Sequence, residues 1–208
     1  MKNLTKDFIS SATRSNAWNF GNDVLYSLCK NHPLHNEMAV VIGKIWLIGR
    51  AYAAAIERRK GNFNFEGDDF YVEVVAPRII NSGIDSWLSP FQQDQNIDRN
   101  NMQLTLKVHA DVTNLFYEIS GLKKRSLASK YLHFHFPNLF YIYDSRAQYA
   151  ISKLTHIIGR VGGSDPDSDH VYRKFAEKCM VLQSYIANTF SINLTPRELD
   201  NLLLELAK

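Results

Sequence analysis

The protein has 208 residues, of which 45% are hydrophobic and 22% are charged, with 10 glycines and 6 prolines. That composition excludes a disordered, collagen-like or low-complexity chain, because a chain of this size has enough apolar side chains to bury a core. The formal net charge of +3 is too small to mark a dedicated nucleic-acid module, although it permits such a partner.

The cysteines and the N-terminus bear on the compartment of the protein. Cys29 and Cys179 lie far apart and no C-x-x-C pair occurs, so neither a zinc cluster nor a disulfide framework is available. Residues 1–7 lack the apolar core of a signal peptide. We therefore expect a cytoplasmic protein that acts as a monomer and uses no metal or other cofactor.

A nearly apolar stretch, residues 38–56, is about long enough to cross a bilayer. It contains Lys44 and Arg50, however, and either charge would cost roughly 2.5–3.5 kcal/mol at the centre of a bilayer. The sequence therefore predicts a buried helix of a soluble protein and no membrane partner. The apolar stripe of that helix consists of Met38, Ile42, Ile45, Trp46, Gly49, Ala53 and Ile56.

Two helices are predicted to flank a glycine turn in the middle of the chain. The first covers about residues 100–119, and the second begins at Ser126 and ends at Pro137. After an extended stretch, Asp144 stands at the start of a third helix. The turn contains Gly121 and a run of three cations, which are Lys123, Lys124 and Arg125.

The second of these helices contains His133 and His135, which alternate with apolar residues. Alternation is also typical of a strand, but the apolar spacing in the same segment favours a helix. On either interpretation the two histidines are expected to form a polar face.

Two further helices are predicted near the C-terminus. The last one begins with a capping box between Thr195 and Glu198, and Pro196 occupies its first position. The earlier one has an apolar stripe at helical spacing that comprises Val171, Phe175, Cys179, Leu182 and Ile186. We therefore expect one mainly α-helical domain over residues 1–208, with few or no strands, or two closely packed helical lobes with a cleft between them.

Residues 119–149 combine groups that suit a phosphate backbone and a glycosidic bond. Free backbone N–H groups and side-chain cations at a tight turn can bind phosphate. The anionic form of a carboxylate at a helix N-terminus, here that of Asp144, is favoured by the helix dipole and the free amides. Beside a sugar, such a carboxylate can stabilise an oxocarbenium-like transition state or orient a water.

This arrangement resembles the helix-hairpin-helix (HhH-GPD-like) DNA glycosylase superfamily, as a divergent member. In that family a Pro-Gly-x-Gly hairpin grips the DNA backbone, and an essential aspartate follows beyond a proline and a short apolar run. Gly121, Pro137, Ile142 and Asp144 match that order, and the match covers about a fifth of the chain. The resemblance implies a hydrolase that binds double-stranded DNA, flips out a damaged or modified base and excises it, with Asp144 as the catalytic carboxylate.

The resemblance also implies a DNA-binding clamp, although the chain departs from the hairpin pattern. Ser120 stands in place of the hairpin proline, and Lys123 stands in place of its second glycine. The residues of the expected clamp are Gly121, Lys123, Lys124, Arg125 and Ser126.

Family members with lyase activity carry a nucleophilic lysine soon after the hairpin, where this chain has Arg125 or Ser126. Lys124, just before that place, and Lys130, about one helical turn beyond it, fit it only with a shift. Lys130 is the second candidate catalytic residue. We therefore expect a monofunctional glycosylase that uses Asp144 and water, and not a Schiff base.

A glycosylase also needs a pocket that holds the extruded base by stacking and polar contacts. The candidates for that pocket are Trp18, Asn19, Asn22 and Tyr143. The two asparagines can equally cap a helix that starts near Asp23.

Simpler interpretations remain for each element. Asp144 can be a helix cap only, and the three cations can form a solvated turn. The chain is then a non-catalytic helical protein that binds nucleic acid or a protein partner. If it is a glycosylase, its departure from the family pattern suggests a specialised role, such as defence against phage with modified DNA.

Overall fold

The computed structural model describes residues 4–15, 17–58, 69–162 and 167–208. In these ranges it contains α-helices, one π-helical segment at Tyr71–Val75 and no strand, which confirms the predicted mainly α-helical fold. The α-helices are α1 (Lys6–Ala12), α2 (Asn19–Asn31), α3 (Met38–Ala51), α4 (Ala76–Ile80), α5 (Ile84–Leu88), α6 (Met102–Ser120), α7 (Arg125–His135), α8 (Ser145–Ser152), α9 (Thr155–Ile158), α10 (His170–Phe190) and α11 (Pro196–Leu206).

Two clusters of buried apolar side chains hold the helices together. The first contains side chains of α2 to α7, and the second contains side chains of α1, α8, α9, α10 and α11. Phe140 belongs to the first cluster and Tyr141 to the second, so the chain passes from one to the other just before Asp144. The candidate catalytic carboxylate therefore lies at the boundary between the two clusters.

α3 is shorter than its apolar stripe predicts. It ends at Ala51, so the expectation that Ala53 and Ile56 continue the helix is wrong. Ala53 has a positive φ of 51°, a left-handed conformation that ends the helix. The chain then folds back over Gly49, where an added Cβ would lie 3.1 Å from the Cα of Ala55.

The lysine within α3 is buried inside the protein. Lys44 has no exposed surface, and its Nζ donates a hydrogen bond to the Leu34 carbonyl at 3.1 Å. Within the described residues, no helix combines the length and the apolar character that crossing a bilayer requires.

The helix formed by residues 125–135, α7, is buried around almost its whole circumference, so the polar face predicted for His133 and His135 is wrong. His133 Nδ1 donates to the Phe140 carbonyl at 2.9 Å, and His135 Nδ1 donates to the Tyr131 carbonyl at 2.8 Å. Burial lowers the pKa of both rings well below the ordinary histidine value. The histidines thus satisfy buried backbone carbonyls rather than facing water.

Because the histidines of the core are neutral, acid should destabilise the fold. Burial lowers the pKa of His35, which contacts Asp85 and Tyr131, to about 4. The unfolded chain binds a proton at His35 near pH 6.5 and the folded chain does not, so the free energy of unfolding should fall as the pH drops from about 6.5 to 4. The expected loss is about 3 kcal/mol through His35 alone.

Urea denaturation at several pH values tests this expectation. His35→Gln, which keeps a side chain able to bond to Asp85 and Tyr131, should lose correspondingly less stability over the same range. The same pH dependence in the variant and the wild type would contradict the role assigned to His35.

Candidate active site

A glycine turn joins α6 to α7 at the position that the sequence predicts. Gly121 has a left-handed φ of 70°, and its N–H donates to the Tyr117 carbonyl at 2.7 Å, which ends α6. Ser120 donates from Oγ to the Phe116 carbonyl at 2.7 Å and accepts from the Leu122 N–H at 3.3 Å. The Ser120 hydroxyl therefore stabilises the turn by hydrogen bonds to the backbone before and after it.

An open cleft of about 260 Å³ lies beside this turn. Of its cations, Lys123 and Arg58 are exposed, whereas Lys124 donates from Nζ to the Ala55 carbonyl at 3.0 Å. Burial lowers the pKa of Lys124. The cleft is lined by Ala53, Ala54, Ala55, Arg58, Lys123, Lys124, Arg125, Ser126, Leu127 and Tyr143.

The last cation of the run is held in an internal ion pair. Arg125 Nε donates to both carboxylate oxygens of Asp169, at 2.7 and 2.6 Å. The same carboxylate caps α10 by accepting from the N–H groups of Val171 and Tyr172. Arg125 therefore connects the start of α7 to the start of α10.

Asp144 is held in one orientation at the N-terminus of α8. Its Oδ1 accepts from the N–H groups of Arg146 and Ala147, at 3.0 and 2.9 Å. Its Oδ2 lies 3.6 Å from Lys130 Nζ. The Asp144 side chain is 29% exposed, so a ligand can reach the carboxylate.

Lys130 is the buried partner of that carboxylate. Its side chain is 2% exposed, and Nζ donates to Ser126 Oγ at 2.8 Å and to the Tyr143 carbonyl at 3.0 Å. Burial lowers the pKa of Lys130, and the nearby carboxylates of Asp144 and Asp200 oppose that change. The structure thus brings both candidate catalytic residues together, and Ser126 connects them to the cleft.

The base-pocket candidates divide into two groups. Asn22 Oδ1 accepts from the hydroxyl of Tyr52, whose ring centroid lies 5.9 Å from Lys130 Nζ. Tyr143 lines the cleft and binds Lys130 through its carbonyl. Asn22 and Tyr143 are therefore connected to the Lys130–Asp144 pair.

The other two candidates lie at the start of α2. Trp18 is 80% exposed and occupies the N-cap position, and Asn19 Nδ2 donates to Ser15 Oγ at 3.0 Å. α2 begins at Asn19, so the expectation of a helix start near Asp23 is wrong.

A further ion pair, which sequence analysis missed, lies on α11, a helix that packs against α8. Arg197 Nε donates to the Tyr26 hydroxyl at 2.9 Å, and Nη1 lies 3.5 Å from Asp200 Oδ2. The guanidinium also lies 5.6 Å from the ring centroid of Tyr52. The available signal was Asp200 itself, a carboxylate next to the apolar stripe of the last helix.

Asp200 is only 4% exposed, and burial raises its pKa to about 7.

The described residues hold no group of three or more His, Cys, Asp or Glu side chains that could bind a metal ion. Comparisons with protein-family models, with curated proteins and with solved structures gave no match.

Substitution of neighbouring cations of the turn should change the free energy of unfolding by very different amounts. Arg125→Ala leaves the Asp169 carboxylate, which is 7% exposed, without its cation and should lower the free energy of unfolding by about 2 kcal/mol. Lys123→Ala, at an exposed position, should change it by less than about 0.5 kcal/mol. Chemical denaturation of the two variants measures both values, and equal effects would contradict the distinction.

Proposed function

We propose that the protein is a monofunctional DNA glycosylase that hydrolyses the N-glycosidic bond of a damaged or modified base and leaves an abasic site. The observation that carries the proposal is the Asp144 carboxylate, which two backbone amides fix at a helix N-terminus and which remains 29% exposed beside a buried ammonium. A helix cap alone needs no buried lysine behind it. The residue before it, Tyr143, lines the cationic cleft.

The Asp144 carboxylate has two roles in the proposed reaction. When the C1′–N bond breaks, its electron pair goes to the departing base and positive charge develops on the sugar. Asp144 stabilises that charge and takes a proton from the water whose oxygen bonds to C1′. Two amide hydrogen bonds and the Lys130 ammonium keep the carboxylate aligned, so little reorganisation is needed during the reaction.

Lys130 acts in this proposal as the partner of Asp144 and not as a nucleophile. A Schiff base requires a neutral, accessible amine. The Lys130 amine is 2% exposed, and it donates to Ser126 and to the Tyr143 carbonyl. Water attack and a free abasic product are therefore the expected outcome.

The cleft beside the turn supports double-stranded DNA as the partner. Exposed Lys123 and Arg58 can reach phosphates. Lys124 is bound to a backbone carbonyl and still contributes its positive field, whereas the charge of Arg125 is offset by Asp169. Defence against phage that carry modified bases belongs to the same proposal, and it rests on the departure of Ser120 and Lys123 from the family's hairpin.

Substitution of the carboxylate tests the chemistry. Purified protein is incubated with duplexes that carry oxidised, deaminated, alkylated, hydroxymethylated or glucosylated bases, and alkali then converts abasic sites into strand breaks. Asp144→Asn keeps a good helix cap but removes the charge, so base release should fall about 10²–10⁴-fold. Asp111→Asn, a surface acid on α6, is the matched control and should keep full activity. Undiminished base release by Asp144→Asn would overturn the mechanism.

Salt dependence tests the clamp separately from the chemistry. If Lys123 contacts one phosphate, Lys123→Ala should reduce the slope of log affinity for duplex DNA against log salt by about 1. Duplex binding without base release from any substrate would instead favour a nucleic-acid-binding protein without chemistry. Affinity for duplex that is absent or independent of salt would favour a partner-binding helical protein.

A further inference from the structure

We propose that Asp200 is a positioning residue of this site, which acts with Arg197 and Tyr52 on the Lys130 ammonium that faces Asp144. The inference deepens the proposed function and rests on it for the activity measurement, but not for the measurement on Lys130 itself.

The first support is the placement of the two ion pairs. Asp200 lies on α11, which packs against α8, the helix that Asp144 caps. The ring of Tyr52 lies near two cations, with Arg197 Cζ at 5.6 Å and Lys130 Nζ at 5.9 Å from its centroid. The two cations share one aromatic ring, and Asp200 is the anion that accompanies Arg197.

The second support is the incomplete pairing of Asp200 with Arg197. Their closest approach is 3.5 Å, and within the described residues Asp200 Oδ1 and Arg197 Nη2 are buried without a hydrogen-bond partner. A buried acid in this state costs stability rather than adding to it. Ionisable residues retained at such a cost are concentrated at functional sites.

The third support is that Asp200 changes charge in the neutral range, because burial raises its pKa to about 7. Above that value its carboxylate favours the protonated form of Lys130, whereas burial and Arg197 disfavour it. The charged and titratable groups that interact with Asp200 or Lys130 are Asp144 and Arg146 of the α8 N-terminus, Arg197 of α11, Tyr26 of α2, Tyr52 after α3, His133 of α7 and Cys179 of α10.

The experiment follows the Lys130 ammonium by ¹H–¹⁵N NMR as a function of pH, with Lys130→Met to assign the signal. In Asp200→Asn the pKa of Lys130 should fall by about one unit, since one nearby anion is lost. The alkaline limb of base release against pH should move to lower pH by the same amount. Asp111→Asn, which removes an acid on α6, should leave both unchanged.

Folding of the variant is checked in the same samples. The folded chain holds a proton on Asp200 between about pH 4 and pH 7 and the unfolded chain does not, so the contribution of Asp200 to stability falls as the pH rises through that window. Asp200→Asn should therefore unfold no more easily than the wild type at pH 8. If it does not fold, Asp200→Ser makes the same measurement.

The outcomes separate this inference from the proposed function. An unchanged Lys130 titration in the folded variant overturns the role of Asp200, whether or not the protein releases bases. A shifted titration in a protein that releases no base from any duplex supports the role of Asp200 and overturns the glycosylase proposal. A shifted titration together with a shifted pH profile supports both.

Discussion

The arrangement of the candidate site depends on one buried ammonium group, that of Lys130. An ammonium removed from water is stable only if hydrogen bonds and a counter-ion replace its hydration. Lys130 finds these partners on Ser126, one turn earlier in α7, and on the Tyr143 carbonyl and the Asp144 carboxylate. The last two belong to the segment that passes from one apolar cluster to the other. The same requirement that makes the lysine tolerable inside the protein therefore fixes the carboxylate relative to the glycine turn.

The polar groups behind Lys130 form a connected set rather than separate pairs. Arg197 donates to the Tyr26 hydroxyl, which bonds to His133 Nε2 at 2.7 Å, and His133 Nδ1 donates to the Phe140 carbonyl. The set therefore begins on α11 and ends at Phe140, on the segment that leads to Asp144. Because each bond polarises the next in a medium of low dielectric constant, such a set is rigid when its members are satisfied. Within the part of the chain that the structure describes, Arg197 Nη2 and Asp200 Oδ1 have no hydrogen-bond partner, and they lie at the α11 end of this set.

Local sequence signals predicted the elements that depend on local physics. The capping box of Thr195 and Glu198 and the turn at Gly121 are present as expected, because each is a set of bonds among near neighbours. The polar face assigned to His133 and His135 was wrong, because alternation indicates two environments only when one of them is water, and α7 is surrounded by protein. Asp144 and Lys130 could be predicted as site residues from the sequence, since they lie on consecutive elements. Arg197 and Tyr26 were not, because their contact joins residues 171 positions apart.

The three consecutive cations of the turn show why a charge run is a poor guide to the strength of DNA binding. They have nearly the same sequence context, yet Lys124 satisfies a backbone carbonyl, Arg125 holds the capped start of α10, and Lys123 alone of the three is exposed. Lys123 and Lys124 contribute a positive field to the cleft, whereas the Asp169 carboxylate offsets that of Arg125. In the complex with DNA that we propose, Lys123 is the one of the three that contacts phosphate directly. A duplex held by few direct contacts dissociates readily from unmodified sequence. In the glycosylase that we propose, discrimination between bases therefore depends on the site that would receive the extruded base.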